Sequence, residues 1–276
     1  MTHSLANALI RHIEPMQHCV VAFSGGVDSS VIAMAAHQAL GQNALAMTAV
    51  SPSVSSFELE NAKRVARQMG IRHEVIQTRE IENPAYVANN GSRCFYCKSE
   101  LYSKIKSVSE HVQSGMVVLN GTNLDDLGDY RPGLQAAKDF DVGSPFVDLE
   151  IGKVEVRQLA RFWGMDVAEK PAAPCLASRI AYGQAVTTER LAMIEKAEAF
   201  VRSLGFSELR VRYYENDHAR IEVPLPDLPR LKDSPTKGLI CEKLIQLGFL
   251  SVDVDPRGLI SGNLNARLPI LREKGE

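Results

Sequence analysis

Between Cys19 and Val50 the hydrophobic pattern changes twice. CVVAF and ALAMTAV are continuous apolar runs without polar alternation, and SGGVDSSVIAMAAHQAL between them reads as a glycine turn entering a helix. Strands without alternation belong in a parallel sheet covered on both faces. A second helix carries Ala62, Val65, Ala66 and Met69 at i, i+3, i+4 and i+7 and stops at Gly70, before the short strand-like HEVIQ. A helical stretch after Cys97 leads to the apolar MVVL at 116–119, and a helix from Lys153 to Trp163 carries Val156, Leu159, Ala160 and Trp163 on one face. Alternating strands and helices predict an α/β domain, a doubly wound parallel sheet over residues 1–170, with ligand at the carboxyl ends of its strands.

The proline-rich EKPAAPCLASRIAYG breaks this pattern, and a smaller α+β domain is expected over 171–276. Thr187 and Thr188 are placed to cap a helix bearing Leu191, Ile194, Ala197, Val201 and Leu204, which Gly205 ends. LRVRYY and ARIEV around ENDH predict a hairpin, followed by a helix near 236–247 and a strand at 249–254. No internal repeat or low-complexity tract interrupts the chain.

With 276 residues, 45% of them hydrophobic, the chain has ample material for a core. No apolar window is long enough for a membrane helix, so a cytoplasmic protein is expected. Five cysteines at irregular spacing do not form a disulfide framework. A net charge of −2 gives no general attraction to nucleic acid.

SGGVDS, residues 24–29, joins an apolar strand to a helix. Gly25 and Gly26 allow close backbone approach to a phosphate and tolerate positive φ, and the free N–H groups and dipole of the helix start favour an anion. Ser24 and Ser29 offer hydroxyl donors, and Asp28 offers a carboxylate for a magnesium ion on phosphate oxygens. A plain strand-to-helix turn is the competing reading, which the flanking serines and the aspartate weaken. The loop is neither a Walker A motif nor a GxGxxG fingerprint. NGTNLDDLGDYRPG, 120–133, again follows an apolar strand. Gly121, Thr122 and Asn123 are candidates to line a nucleotide pocket, Asp125 and Asp126 to bind magnesium and Arg131 to bind phosphate. The competing reading is a polar loop with a capping aspartate.

RCFYC sets Cys94 and Cys97 three apart, a spacing open to zinc, a redox pair, an iron–sulfur cluster or simple packing. No histidine stands at a zinc-ligand spacing nearby, and the surrounding pattern is not thioredoxin-like. Cys19 and Cys241 read as ordinary buried residues. In LRVRYY, Arg210 and Arg212 point away from Leu209, Val211 and Tyr213, and Arg220 and Glu222 share one parity on the partner strand. Such arginines suit phosphate and carboxylates, unless the face is merely solvated. Glu198, on the preceding helix, is equally ambiguous.

SGGVDS resembles the PP-loop of ATP pyrophosphatases over all six residues. The resemblance implies cleavage between the α and β phosphates of ATP, with adenine near Ala49, Val50 and Ser51. RCFYCK, GTNLDDLGDYRPG, KPAAPCLASRIAYG, RVR and ARIEV, in that order over nearly the whole chain, resemble the LarE-type sulfurtransferases. That resemblance implies adenylation of pyridinium-3,5-biscarboxylic acid mononucleotide with ATP and magnesium, then sulfur insertion, in assembly of a nickel-pincer nucleotide cofactor. It marks Cys175 as the sulfur-bearing residue and tips Arg210 and Arg212 toward substrate binding; Arg179, four residues after Cys175, and Glu198 are expected beside them as substrate-binding residues. With Cys94 and Cys97, Cys175 completes three thiolates for a [4Fe-4S] cluster whose fourth iron takes sulfur from a sulfide or persulfide donor. The alternatives are single-use transfer of Cys175's own sulfur, a tRNA thiolase or an amidating PP-loop synthetase, and a non-catalytic iron–sulfur or nucleotide-binding partner. A homo-oligomer is expected, with no membrane or nucleic-acid partner.

Overall fold

Parallel pairing, with both faces covered, is what the apolar runs adopt. In a computed structural model describing residues 2–112, 114–128, 132–260 and 262–264, one sheet contains Cys19–Ala22 (β1), Ala44–Val50 (β2), Arg72–Gln77 (β3) and Val117–Leu119 (β4). The order is β3-β2-β1-β4 and every pair is parallel. Cys19, Val21, Ala44 and Ala46 pack with helices Thr2–Ile13, Val27–Leu40, Ser56–Met69 and Lys153–Phe162. The alternate residues Val20, Leu45 and Met47 pack with Tyr102 and Ile105 of helix Arg93–Val112 and with Ala136 of helix Gly133–Asp139. Because side chains alternate faces and both faces are dry, neither central strand has room for polar alternation. β3 is an edge strand in which only Ile76 is buried, which explains its polar sequence.

The helix predicted from Ala62 to Met69 is Ser56–Met69, capped by Ser55, whose hydroxyl accepts from Glu58 N–H at 3.3 Å. It ends at Gly70, whose φ of 72° is a left-handed cap. Its four expected apolar positions are the buried ones.

The chain divides into two compact units, Met1–Glu80 with Cys94–Ala173, and Ile81–Arg93 with Pro174–Glu276. In the second unit, Arg210–Tyr214 (β5) and His218–Glu222 (β6) form the expected antiparallel hairpin, and Ser251–Val254 (β7) pairs parallel with β6. Asn216 and Asp217, both at positive φ, turn the hairpin. Helix Thr188–Ser203 starts at Thr187, whose hydroxyl accepts from Arg190 N–H. It buries Leu191, Ile194, Ala197 and Val201, and Gly205 follows at φ 88°. Helix Ser234–Gln246 precedes β7. Residues 81–93 join this unit through Asn89, which lies at φ 52°. Its amide nitrogen donates to the carbonyls of Ile180, Ala181 and Gln184 at 3.3, 2.9 and 2.8 Å. Among the described residues no helix is long and apolar enough to cross a membrane.

Candidate functional site

The phosphate loop of the first unit is closed upon itself. Ser24 and Ser29 hydroxyls lie 3.1 Å apart, Ser24 N–H donates to Ser29 Oγ at 3.2 Å, and Gly26 N–H donates to Ser24 Oγ at 3.3 Å. The serines that bracket the motif thus shape the loop as well as offering hydroxyls. Gly25 has the positive φ, at 67°, whereas Gly26 is extended at −83° and serves as N-cap of helix Val27–Leu40. Only one of the two glycines needs left-handed backbone. A Cβ on Gly25 would fall 2.6 Å from Ala62 Cα, so the loop also lies directly against helix Ser56–Met69.

Beneath the loop, Phe23 N–H donates to Met47 O at 2.8 Å. Thr48 Oγ1 donates to Phe23 O at 2.9 Å, and its proton is thereby used. The 2.8 Å contact between Thr48 Oγ1 and His73 Nε2 therefore carries the His73 proton on Nε2. Burial, then Lys63 and Arg67, holds the His73 pKa below its ordinary value.

Asp28, in the first turn of the helix, accepts from Lys153 Nζ on both carboxylate oxygens, at 2.7 and 2.5 Å, and from Asn123 Nδ2 at 3.0 Å. Lys153 was not among the expected site residues. Its signal is an anomaly, a cation at the positive end of a helix dipole. Asp125 fixes that helix start by accepting Lys153 N–H at 2.5 Å, and Asp126 accepts Asn123 N–H at 3.2 Å. The two aspartates expected as magnesium ligands also hold these backbone N–H groups. Gly121 sits where a Cβ would come within 2.7 Å of Ser29 N, and Thr122 N–H donates to Asn120 Oδ1 at 2.9 Å. Arg131 lies outside the described residues.

In the second unit Cys175 is exposed and stands as N-cap of the short helical turn Leu176–Arg179. The carbonyls of that turn are taken by buried guanidinium groups. Arg179 Nη1 donates to Pro174 O at 2.5 Å and Cys175 O at 3.3 Å. Arg93 Nη1 donates to Ala177 O at 2.8 Å, and Arg212 Nη1 donates to Ser178 O at 2.9 Å. Arg93 was not singled out in the sequence, although it adjoins Cys94.

The remaining donors of Arg179 meet Glu198 at 2.8 and 3.3 Å, and those of Arg212 meet Glu222 at 2.9 and 2.8 Å. Glu198 also accepts Val211 N–H at 3.1 Å. The face bearing Arg210, Arg212 and Glu222 is buried, so it is not a solvated strand face. Arg179 is paired with Glu198 and Arg212 with Glu222, and both arginines also hold the cysteine turn. Arg210 differs: among the described residues its one side-chain hydrogen bond is to Ile260 O at 3.4 Å and it has no ion-pair partner, Glu222 and Glu198 acting on it only at longer range. Burial, then Arg212 and Arg179, pulls its pKa down to about 10, so it remains charged at neutral pH.

Cys94 and Cys97 lie one turn apart at the start of helix Arg93–Val112, the first exposed and the second half-buried. No disulfide joins any of the five cysteines. Cys19 is buried as expected, and burial raises its thiol to about 12. Cys241 is half-buried rather than buried, because its helix packs on one side only. Among the described residues, no three His, Cys, Asp or Glu side chains are gathered to hold a metal ion.

The asparagine synthase family model matches residues 1–89, the part containing the phosphate loop. An uncharacterised Synechocystis protein is 42% identical over 96% of this chain and 98% of its own length. Pyridinium-3,5-bisthiocarboxylic acid mononucleotide synthase of Lactiplantibacillus plantarum is 31% identical over 94% of this chain and 93% of its own. An ammonia-dependent NAD+ synthetase of Pyrococcus furiosus is 27% identical over 57% of this chain and 62% of its own.

Proposed function

The chain belongs to the LarE family of ATP-dependent PP-loop sulfurtransferases, and from that premise we propose that it converts pyridinium-3,5-biscarboxylic acid mononucleotide to a thiocarboxylate for a nickel-pincer nucleotide cofactor. In the first step a substrate carboxylate oxygen attacks the α-phosphorus of ATP. The bond from that phosphorus to the bridging oxygen breaks, and pyrophosphate leaves into the loop formed by Ser24, Gly25, Gly26 and Ser29. Gly121 and Thr122 line the same pocket. Preorganised donors and the helix start meet charge as it develops on the leaving group. Lys153, already beside Asp28, supplies a cation within reach of the phosphates.

Magnesium fits this site with Asp28 as its protein ligand, because such ions take one or two carboxylates and leave their other positions to phosphate and water. Asp125 and Asp126 then orient Lys153 and Asn123. When bound, the ion neutralises charge on the departing pyrophosphate.

In the second step sulfur attacks the acyl carbon of the adenylate and AMP departs with the electron pair. The observation that carries this step is the exposed Cys175 thiol on a turn whose carbonyls are clamped by three buried arginines. A group fixed in this way needs little reorganisation to react. Arg210, in the same unit and lacking a carboxylate of its own, is assigned to the anionic substrate. Arg179, Glu198 and Arg212 position the turn.

Two sulfur sources are compatible with Cys175. Its own thiolate forms a thioester; loss of the Cα proton then cleaves the Cβ–S bond, releasing thiocarboxylate and leaving dehydroalanine. In the other route, Cys94, Cys97 and Cys175 would hold a [4Fe-4S] cluster. Three thiols of the right kind, two of them a turn apart, fit three irons in donor type and number. Such a cluster would supply an iron position for an exogenous sulfide. We favour that route, because Cys94 and Cys97 have no task in the sacrificial one.

The adenylation step is tested with substrate whose carboxylates carry heavy oxygen. Transfer of one labelled oxygen to AMP is expected, and AMP without label would exclude a carboxylate attack on ATP.

A further inference from the structure

Glu80 is a carboxylate that the chemistry above leaves unused. It is 4% exposed, and one of its oxygens accepts a hydrogen bond from the Ser51 hydroxyl. Among the described residues it has no other hydrogen-bond donor and no cation. A carboxylate with a single hydroxyl donor retains free acceptor capacity on its other oxygen.

Its place in the fold gives that capacity a direction. Ser51 immediately follows β2, and its Oγ accepts Ser53 N–H at 3.2 Å. Thr78 N–H donates to Val50 O at 3.0 Å, which extends the pairing of β2 with β3 past the strand ends and brings Glu80 alongside Ser51. Both residues therefore lie at the carboxyl edge of the sheet, the edge where β1 opens into the phosphate loop. A nucleotide with its phosphates on that loop must extend over β4 on one side or over β2 and β3 on the other. On the β4 side Gly121 packs against the helix start, where a Cβ would fall 2.7 Å from Ser29 N and 2.8 Å from the Asp28 carbonyl carbon. On the β2 and β3 side stand Ser51 and Glu80, past the strands that carry the Phe23, Thr48 and His73 hydrogen-bond chain.

We infer that Glu80, held in place by Ser51, accepts a hydrogen bond from the adenosine half of ATP, from a ribose hydroxyl or the adenine amino group. The inference rests on the reading of SGGVDS as an ATP loop. It assigns the carboxylate a discriminating role, since it rewards a donor and repels a carbonyl oxygen placed opposite.

Calorimetric titration of the full chain and its Glu80→Gln variant with ATP, dATP and ITP tests it. Wild-type protein should bind ATP about ten- to hundredfold more tightly than dATP if the ribose is read, or than ITP if the amino group is read, the range expected for a hydrogen bond to a charged acceptor. Glu80→Gln should weaken ATP by a similar factor and abolish that preference. Ser51→Ala, which keeps the carboxylate and removes its anchor, should reduce the preference, and it serves as the second readout if Glu80→Gln fails to fold. Identical ATP, dATP and ITP ratios in wild type and variants would overturn the inference while leaving ATP binding intact. A wild-type chain that binds none of the three would overturn the ATP reading itself, and the inference with it.

Discussion

Lys153 Nζ donates to both carboxylate oxygens of Asp28, at 2.7 and 2.5 Å, across 125 positions of sequence. The pair joins the helix that begins in the phosphate loop to the helix beginning at Lys153. It sets a cation and a carboxylate at the start of the helix that leaves the loop, where the proposed reaction would hold pyrophosphate and magnesium.

Replacing Lys153 by methionine should lower pyrophosphate release about 10²- to 10³-fold, the usual loss when one preorganised charge contact is removed. Asp28→Asn should do likewise and raise the magnesium concentration needed for ATP binding. Because the side chains meet, the double variant should lose less than the product of the two. Steady-state pyrophosphate assays over a magnesium series provide the check, and full additivity would mean that the two side chains act independently.

The Arg212–Glu222 pair is almost fully buried, at 3% and 0% side-chain exposure. Arg212→Met or Glu222→Gln should cost about 3–5 kcal/mol in denaturant unfolding by leaving an uncompensated buried charge. Arg212→Met with Glu222→Leu should recover part of the loss. A double variant no more stable than either single would indicate that the bond from Arg212 to the Ser178 carbonyl matters more than the ion pair.

His73 has its pKa held down chiefly by burial, so the unfolded chain takes up the proton first as pH falls. Stability should therefore rise with pH from the lowered native value to about 6.5, the unperturbed histidine value, and this histidine's contribution should be flat above it. His73→Gln should flatten that rise in thermal melts measured across the window. An unchanged slope would assign the pH dependence to other groups.

Cys175→Ser should still release pyrophosphate and AMP yet yield no thiocarboxylate, because the loop and Lys153 are untouched. Cys94→Ser and Cys97→Ser should each reduce the iron bound after anaerobic reconstitution, from about four atoms per chain to near none. A wild-type chain that binds no iron and loses one sulfur from Cys175 would establish the sacrificial route.

Local rules made much of this fold readable. CVVA and ALAMTAV lie between two helical layers, so their apolar runs had one explanation, and Gly70 and Thr187 mark helix ends by caps that depend on neighbours in sequence. Long-range polar contacts were harder to anticipate. Arg212 read as a possible solvent-facing residue because strand parity does not reveal what covers a face, and it is buried in an ion pair with Glu222. Lys153 meets Asp28 only through the tertiary fold, and Asn89 and Arg93 reach the turn after Cys175 from a segment about 80 to 95 positions earlier. Asp125 and Asp126 have the composition of metal ligands, and their bonds to the Lys153 and Asn123 N–H groups depend on local backbone geometry that composition does not show.

The most direct test of sulfur transfer is mass analysis of pyridinium-3,5-biscarboxylic acid mononucleotide after incubation with the chain, ATP, magnesium and a sulfide source, with AMP counted in the same sample. The account predicts replacement of a carboxylate oxygen by sulfur and one AMP for each sulfur inserted. AMP formation with no sulfur in the product would contradict it.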